Sequence, residues 1–188
     1  MPELPEVEFT RRQIVKWAQG QRLERVEQGP HSSTTDAATL KQLETVVGRS
    51  LTSVERCGKY LFFGFEREWV HSHLAMTGKW VQLDAVGTRA RYIRFLLLFQ
   101  EVTLAFVDTR KFGKLEVLSG SSWRPWLSTK KIGLDVFDSQ LTGASLASTF
   151  ARTKRAIKTT LLDQGVLAGV GNIYACEALF LAGISPLM

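Results

Sequence analysis

Cysteine is nearly absent from this 188-residue chain, in which Cys57 and Cys176 are the only two. A disulfide framework and a four-cysteine zinc site are thereby excluded, and both thiols are expected to be reduced. Long apolar runs are missing too, so no segment qualifies as a bilayer-spanning helix. The polar, acidic N-terminus also lacks the basic start and apolar middle of a secretion signal. No internal repeat or low-complexity tract stands out. Hydrophobic residues at 45% and charged residues at 22% are ordinary for a folded chain, which argues against disorder. The reading is a cytoplasmic, soluble protein, with no membrane partner, long enough to bury a core in two modest domains.

Positive charge is in excess: Lys and Arg number 24 against 18 Asp and Glu, a net charge of +6. This balance favours a polyanionic partner, because each phosphate contact releases condensed counterions. Charge alone does not separate a nucleic-acid binder from the many basic proteins that bind none.

Val7, Ile14 and Trp17 recur at helical spacing between Pro5 and about Ala18, with Arg11, Arg12 and Lys16 elsewhere on the wheel, which predicts an amphipathic helix. A second short helix is expected over Ala37 to Val47. From Arg22 to Leu118 the pattern changes to short segments separated by Gly, Asp and charged turns: Leu23 to Val26, Tyr60 to Phe65, Trp80 to Leu83, Tyr92 to Phe99 and Val102 to Val107. These read as antiparallel strands of a sandwich or barrel. Ser119 to about Leu141 reads as a linker or irregular crossing. Helical periodicity returns over Leu146 to Asp163 and Ile173 to Ala182, with Gly183 and Pro186 as stop signals. The fold class is α+β: an N-terminal helix packed on an antiparallel β-sandwich, then a helical domain. The expected division is residues 1–120, a linker over 121–141, and residues 142–188.

Several segments admit plain structural explanations. In Met1-Pro2-Glu3-Leu4-Pro5-Glu6-Val7-Glu8, Pro5 starts a helix and Glu6 and Glu8 complement its positive end, which leaves Pro2 and Glu3 unexplained. His71 and His73 stand at i and i+2 on a strand, facing one side, but no third ligand accompanies them, so no metal site is assigned. Arg152, Lys154, Arg155 and Lys158 read as a basic helical face. Gly169-Val170-Gly171 is not a dinucleotide-binding loop, since it follows a helical stretch and lacks the third glycine.

Five motifs, in order along essentially the whole chain, are similar to those of the formamidopyrimidine-DNA glycosylase and endonuclease VIII family. They are the opening octet, Arg56-Cys57-Gly58-Lys59-Tyr60-Leu61, His71-Ser72-His73-Leu74-Ala75-Met76-Thr77-Gly78, Asp108-Thr109-Arg110-Lys111-Phe112-Gly113, and Gly169-Val170-Gly171-Asn172-Ile173-Tyr174-Ala175-Cys176-Glu177-Ala178-Leu179. Ala75 replaces the family's commoner glycine and Thr109 its proline. Leu4 favours the formamidopyrimidine branch, since the endonuclease VIII branch usually carries glycine there.

The resemblance implies a bifunctional glycosylase and abasic-site lyase acting on oxidised purines in double-stranded DNA, as a monomer. Removal of Met1 would free Pro2 as the nucleophile. An α-amine titrates near ~7.7–8.0, so a useful fraction is neutral at cellular pH and can form an iminium with C1′ of the sugar. Glu3 would protonate the opening sugar ring and Glu6 would order the site. Lys59, His73 and Lys154 would contact phosphate near the lesion. Met76 and Phe112 would fill and wedge the stack, and Arg110 would replace the extruded base opposite cytosine. Gly171 would allow close backbone approach, and Asn172 would cap a helix and present donors to phosphate within a helix-two-turn-helix motif. No cofactor is expected. The family's zinc ribbon lies beyond the matched motifs, so the chain is expected to be truncated, with weakened DNA binding and excision. An endonuclease VIII-like activity and a non-catalytic DNA-binding remnant stand as alternatives.

Overall fold

The computed structural model describes residues 1–34, 36–83 and 91–187, and the chain divides into two compact units. The first comprises residues 1–56 and 60–123, the second residues 57–59 and 124–188.

In the first unit, α1 (Leu4–Ala18) is the expected amphipathic helix, with Leu4, Val7, Ile14 and Ala18 buried. It leads into β1 (Leu23–Gln28), and α2 (Asp36–Glu44) follows, starting one residue earlier and ending three earlier than periodicity suggests. Then come β2 (Ser53–Cys57), β3 (Tyr60–Phe65), β4 (Glu68–His73), β5 (Lys79–Leu83), β6 (Ile93–Phe99), β7 (Thr103–Val107) and β8 (Lys114–Ser119). They form two four-stranded antiparallel sheets in the orders β1-β6-β7-β5 and β2-β3-β4-β8. Phe63, Phe65, Trp80, Phe95, Leu97, Leu104 and Phe106 fill the core together with Val7 and Ile14 of α1. Trp80 meets Phe63 and Phe106 at ring separations of 5.3 and 5.1 Å, and its indole N–H donates to Ser72 Oγ at 3.0 Å, so a buried polar atom finds its partner on the other sheet. The second face of β3 is covered as well: Phe62 stacks on Trp123 with ring centroids 4.1 Å apart. That explains why this strand reads as a continuous apolar run rather than alternating.

The second unit holds α3 (Arg124–Lys130), β9 (Leu134–Asp135), α4 (Gly143–Ala151), α5 (Ile157–Leu162), β10 (Leu167–Ala168) and α6 (Asn172–Leu181). Two expectations are corrected. The stretch Ser119 to Leu141 contains α3 and β9 rather than being irregular throughout, and β9 pairs in parallel with β10. The helical reading of Leu146 to Asp163 breaks at Arg152, the C-cap of α4, because Thr153 Oγ1 accepts the Arg155 amide at 3.1 Å and competes with continued helix. The core here is small: Leu161, Leu167, Ala175 and Leu179 are buried, with Leu146, Phe150 and Ile157 packed partly against them.

Candidate active site and nucleic-acid interface

The N-terminal turn of α1 is held by its own carboxylates. Glu3 occupies the N-cap in extended conformation and its amide donates to Glu6 Oε2 at 2.8 Å. Glu3 is 2% exposed, whereas Met1 is exposed and Pro2 half-buried. Pro2, Pro5, Glu6, Phe9 and Thr10 line a cavity of about 360 Å³ whose other wall is Leu74, Gly78 and Lys79. Glu8, read at first as a dipole partner, is instead a junction: its oxygens accept from Arg11 at 2.8 and 2.9 Å, Arg12 at 2.9 Å and Arg56 at 3.2 Å. The Arg11 hydrogen bond, with Arg12 and Arg56 and against the opposing effect of burial, lowers its pKa to about 2.

Two turns carry the three residues assigned to the opened stack. After β4, the turn through Met76 is closed by the Gly78 amide donating to Leu74 O at 2.8 Å. Ala75 lies in it at φ +52°, the left-handed region where glycine is unstrained, which is the physical reason for the commoner glycine at this place. The second turn, Asp108 to Gly113, presents Arg110 and Phe112 with the guanidinium 4.7 Å from the ring centroid. Phe112 is 53% and Met76 41% exposed, unusual for apolar side chains of this size and suited to insertion into a partner.

One fully buried carboxylate joins both turns. Asp108 Oδ1 accepts from the Thr77 hydroxyl and from the Arg110 amide at 3.2 Å, while Oδ2 accepts from the Gly113 amide at 2.7 Å. Burial pushes its pKa up, but the Thr77, Gly113 and Arg110 hydrogen bonds and the charge of Arg94 outweigh that, and the net shift is downward. Gly113 has no room for a side chain: a Cβ would stand 2.5 Å from Phe106 Cζ.

His71 and His73 share a face, as their spacing requires, and the Tyr60 ring lies 5.4 and 4.9 Å from them. His71 is buried, with Nδ1 3.6 Å from Glu116 Oε2, and His73 is half-buried at the end of β4. Among the described residues no three His, Cys, Asp or Glu side chains converge on a point that could hold a metal ion.

In the second unit, the turn bearing Lys59 and the loop preceding Asn172 meet. The Gly58 amide donates to Asp135 Oδ2 at 2.6 Å, and a Cβ on Gly58, at φ +54°, would stand 3.1 Å from that of Ala168 and 3.4 Å from the Gly169 amide nitrogen. Lys59 is 8% exposed, so it is not a solvated lysine at a strand end. Gln164 brackets the loop: its side-chain amide Nε2 donates to Leu162 O at 3.0 Å and Val170 O at 2.9 Å, and Oε1 accepts from the Gly169 amide at 3.0 Å. Asn172 is the first residue of α6 and Gly171 its N-cap, which corrects the expectation that Asn172 does the capping. The basic face is corrected as well. Arg152, Lys154 and Arg155 lie in the break between α4 and α5, with only Lys158 on a helix, and Arg155 is turned to Asp163 at 2.8 Å.

Of the candidate residues, Pro2, Glu3, Glu6, His73, Met76, Arg110 and Phe112 lie in the first unit, and Lys59, Lys154 and Asn172 in the second. Sequence reasoning missed Arg94, Asp36, Asp135 and Gln164. Only Arg94 left a trace, as a charge inside the apolar strand from Tyr92 to Phe99.

Similarity to known proteins is extensive. Residues 1–115 match the formamidopyrimidine-DNA glycosylase N-terminal domain and residues 132–188 the formamidopyrimidine-DNA glycosylase H2TH domain. A formamidopyrimidine-DNA glycosylase of Desulfitobacterium hafniense is 35% identical over 187 residues, 99% of this chain and 68% of that protein. One of Bacillus subtilis is 34% identical over 188 residues, with the same 99% and 68% coverage. Among solved structures, MutM in complex with DNA containing carbocyclic 8-oxo-G superposes with a TM-score of 0.88 at 32% identity, covering 99% of this chain and 71% of that one. The Lactococcus lactis protein in complex with DNA containing an abasic site gives 0.87 at 32% identity, covering 99% and 69%.

Proposed function

Since the chain belongs to the formamidopyrimidine-DNA glycosylase family, we propose that it excises oxidised purines from duplex DNA and cleaves the resulting abasic site, with Pro2 as nucleophile. The observation that carries this reading is the cavity lined by Pro2 and Glu6 on one side and by Leu74 and Gly78 on the other, the two residues that bracket the turn bearing Met76.

Once Met1 is removed, the Pro2 nitrogen is a secondary amine. Its lone pair attacks C1′, the C1′–N9 bond breaks, and the base leaves with the bonding pair and takes up the proton that the nitrogen gives up. Glu3 gives a proton to the ring oxygen as the sugar opens, and the nitrogen lone pair forms the iminium. Loss of a C2′ proton then expels the 3′ phosphate, and a further elimination expels the 5′ phosphate. The amine and carboxyl supply this chemistry without a metal or cofactor. Glu3 is buried next to Pro2, and the hydrogen bond between the Glu3 amide and Glu6 holds the turn that presents Pro2.

Met76 fills the vacated space, Phe112 wedges the stack, and Arg110 offers its planar fork to the pairing edge of cytosine. His73, Lys59, Lys154 and Asn172 engage the phosphates, the last from the positive end of α6. No helix among the described residues is long and apolar enough to cross a membrane, and we place the activity at cytoplasmic DNA.

The test is borohydride trapping on a duplex with 8-oxoguanine opposite cytosine. Material with Pro2 at its terminus should form a covalent protein–DNA adduct, and Pro2→Gly should lower its rate by about 100-fold or more. An adduct formed equally well by both proteins would refute the assignment of the nucleophile.

A further inference from the structure

Arg94 is 6% exposed in a strand whose neighbours are apolar, and the reaction proposed above gives it no role. Its place in the sheet is irregular. Ile93 pairs with Val107 and Phe95 with Phe106, so Arg94 is an extra residue in β6, a bulge of the kind that re-aims a side chain. The guanidinium bridges two elements. On one side Nε and Nη2 donate to Asp36 Oδ2 and Oδ1 at 3.1 and 2.5 Å, a two-pronged pair at the start of α2, where the Ser33 amide also binds Oδ2 at 2.9 Å. On the other, Nη1 donates to Gly113 O at 2.6 Å and lies 3.4 Å from Asp108 Oδ2.

From this geometry we infer that Arg94 is a positioning residue, clamped by Asp36, that fixes the Asp108–Gly113 turn from behind and so sets where Arg110 and Phe112 enter the duplex. The inference rests on the reading of those two residues given above. The contact that matters is the carbonyl of Gly113, adjacent to Phe112, because a guanidinium fork fixes direction as well as distance. Asp108 receives the same turn through the amides of Arg110 and Gly113. The turn is thus held at its carbonyl by a buried cation and at its amides by a buried anion. Stability alone does not call for this arrangement, since a buried ion pair can be exchanged for apolar groups of similar volume at little cost, whereas removing one partner strands the other.

That asymmetry supplies the test. The double variant Asp36→Leu with Arg94→Met removes both ends of the clamp together, and Arg94→Lys keeps the charge but loses the fork. Hydrogen exchange of the free protein reads the turn with no reference to activity. Relative to β6 and β7 amides, those of Arg110 and Gly113 should exchange about tenfold faster or more in each variant that folds. Excision opposite cytosine relative to excision opposite adenine should fall by about tenfold, while borohydride trapping on an abasic duplex stays within about threefold. Folded variants that keep both the exchange rates and the discrimination of the parent protein would overturn the inference. A parent protein that traps no DNA would refute the proposed reaction and leave the exchange result to decide the role of Arg94.

Discussion

Two loops beside the candidate residues, one in each unit, are held by different chemistry. The Asp108–Gly113 turn of the first unit hangs from ionised groups, Asp108 at 0% exposure and Arg94 at 6%, against an extensive aromatic core. The Gly169–Gly171 loop of the second unit is held by the neutral amide of Gln164, over a small core built around Leu161, Leu167, Ala175 and Leu179. Buried charge fixes direction strongly but fails when one partner is lost. A neutral bracket is weaker and more forgiving.

The sharpest way to break that contrast is Asp108→Asn. The isosteric change keeps the shape but removes an anion facing Arg94 and two backbone amides, and a loss of about 3 kcal/mol in urea unfolding is expected. A loss under about 1 kcal/mol would mean that the charge is not what holds the turn.

Gln164→Ala should cost about 1–2 kcal/mol, concentrated locally, with the Gly169 amide losing exchange protection while the sandwich keeps its own. If this loss equalled that of Asp108→Asn, the distinction between the loops would collapse.

Acid should separate them next. Glu8, Asp36 and Asp108 all have lowered pKa values in the fold, so the stability they contribute is complete above their unfolded pKa values and is lost as pH falls. For Glu8 the window runs from about 4.5 down to about 2. Gln164 does not titrate, although the exposed Arg155–Asp163 pair beside its loop does. In an NMR pH titration the amides of residues 110 and 113, which donate to Asp108, should therefore shift more than that of Gly169, which donates to Gln164. Glu8→Gln should lower stability at neutral pH by about 1 kcal/mol, allowing for solvent screening, and flatten the acid limb of the curve.

The smallest effect is expected from Ala75→Gly. Relief of the left-handed backbone exceeds the added entropy of the unfolded chain, for a net gain of about 0.5 kcal/mol in thermal or urea unfolding.

Much of this was legible from local pattern. The α1 helix follows from apolar spacing, the sandwich from short strands between turns, and the candidate residues from motif resemblance. The remainder depends on encounters between distant segments. Asp36 and Arg94 are 58 positions apart, and nothing local in either segment announces their pairing. Gly58 meets Asp135 across 77 positions. The break between α4 and α5 escaped because residues 152–156 suit a helix well enough, and a single Thr153 side chain diverts the backbone. The capping of α6 misled for another reason: an asparagine before an apolar run signals a cap, but the glycine before it fills that position.

That the turns of Met76 and of Arg110 and Phe112 share Asp108 has an evolutionary consequence. Their exposed tips can be exchanged one at a time, each trial leaving the scaffold intact, so preference among lesions can drift by single steps. The shared anchor lacks that freedom, because altering it displaces every tip at once. Diversification of this surface should therefore run through its fingertips while the knuckle stays constant.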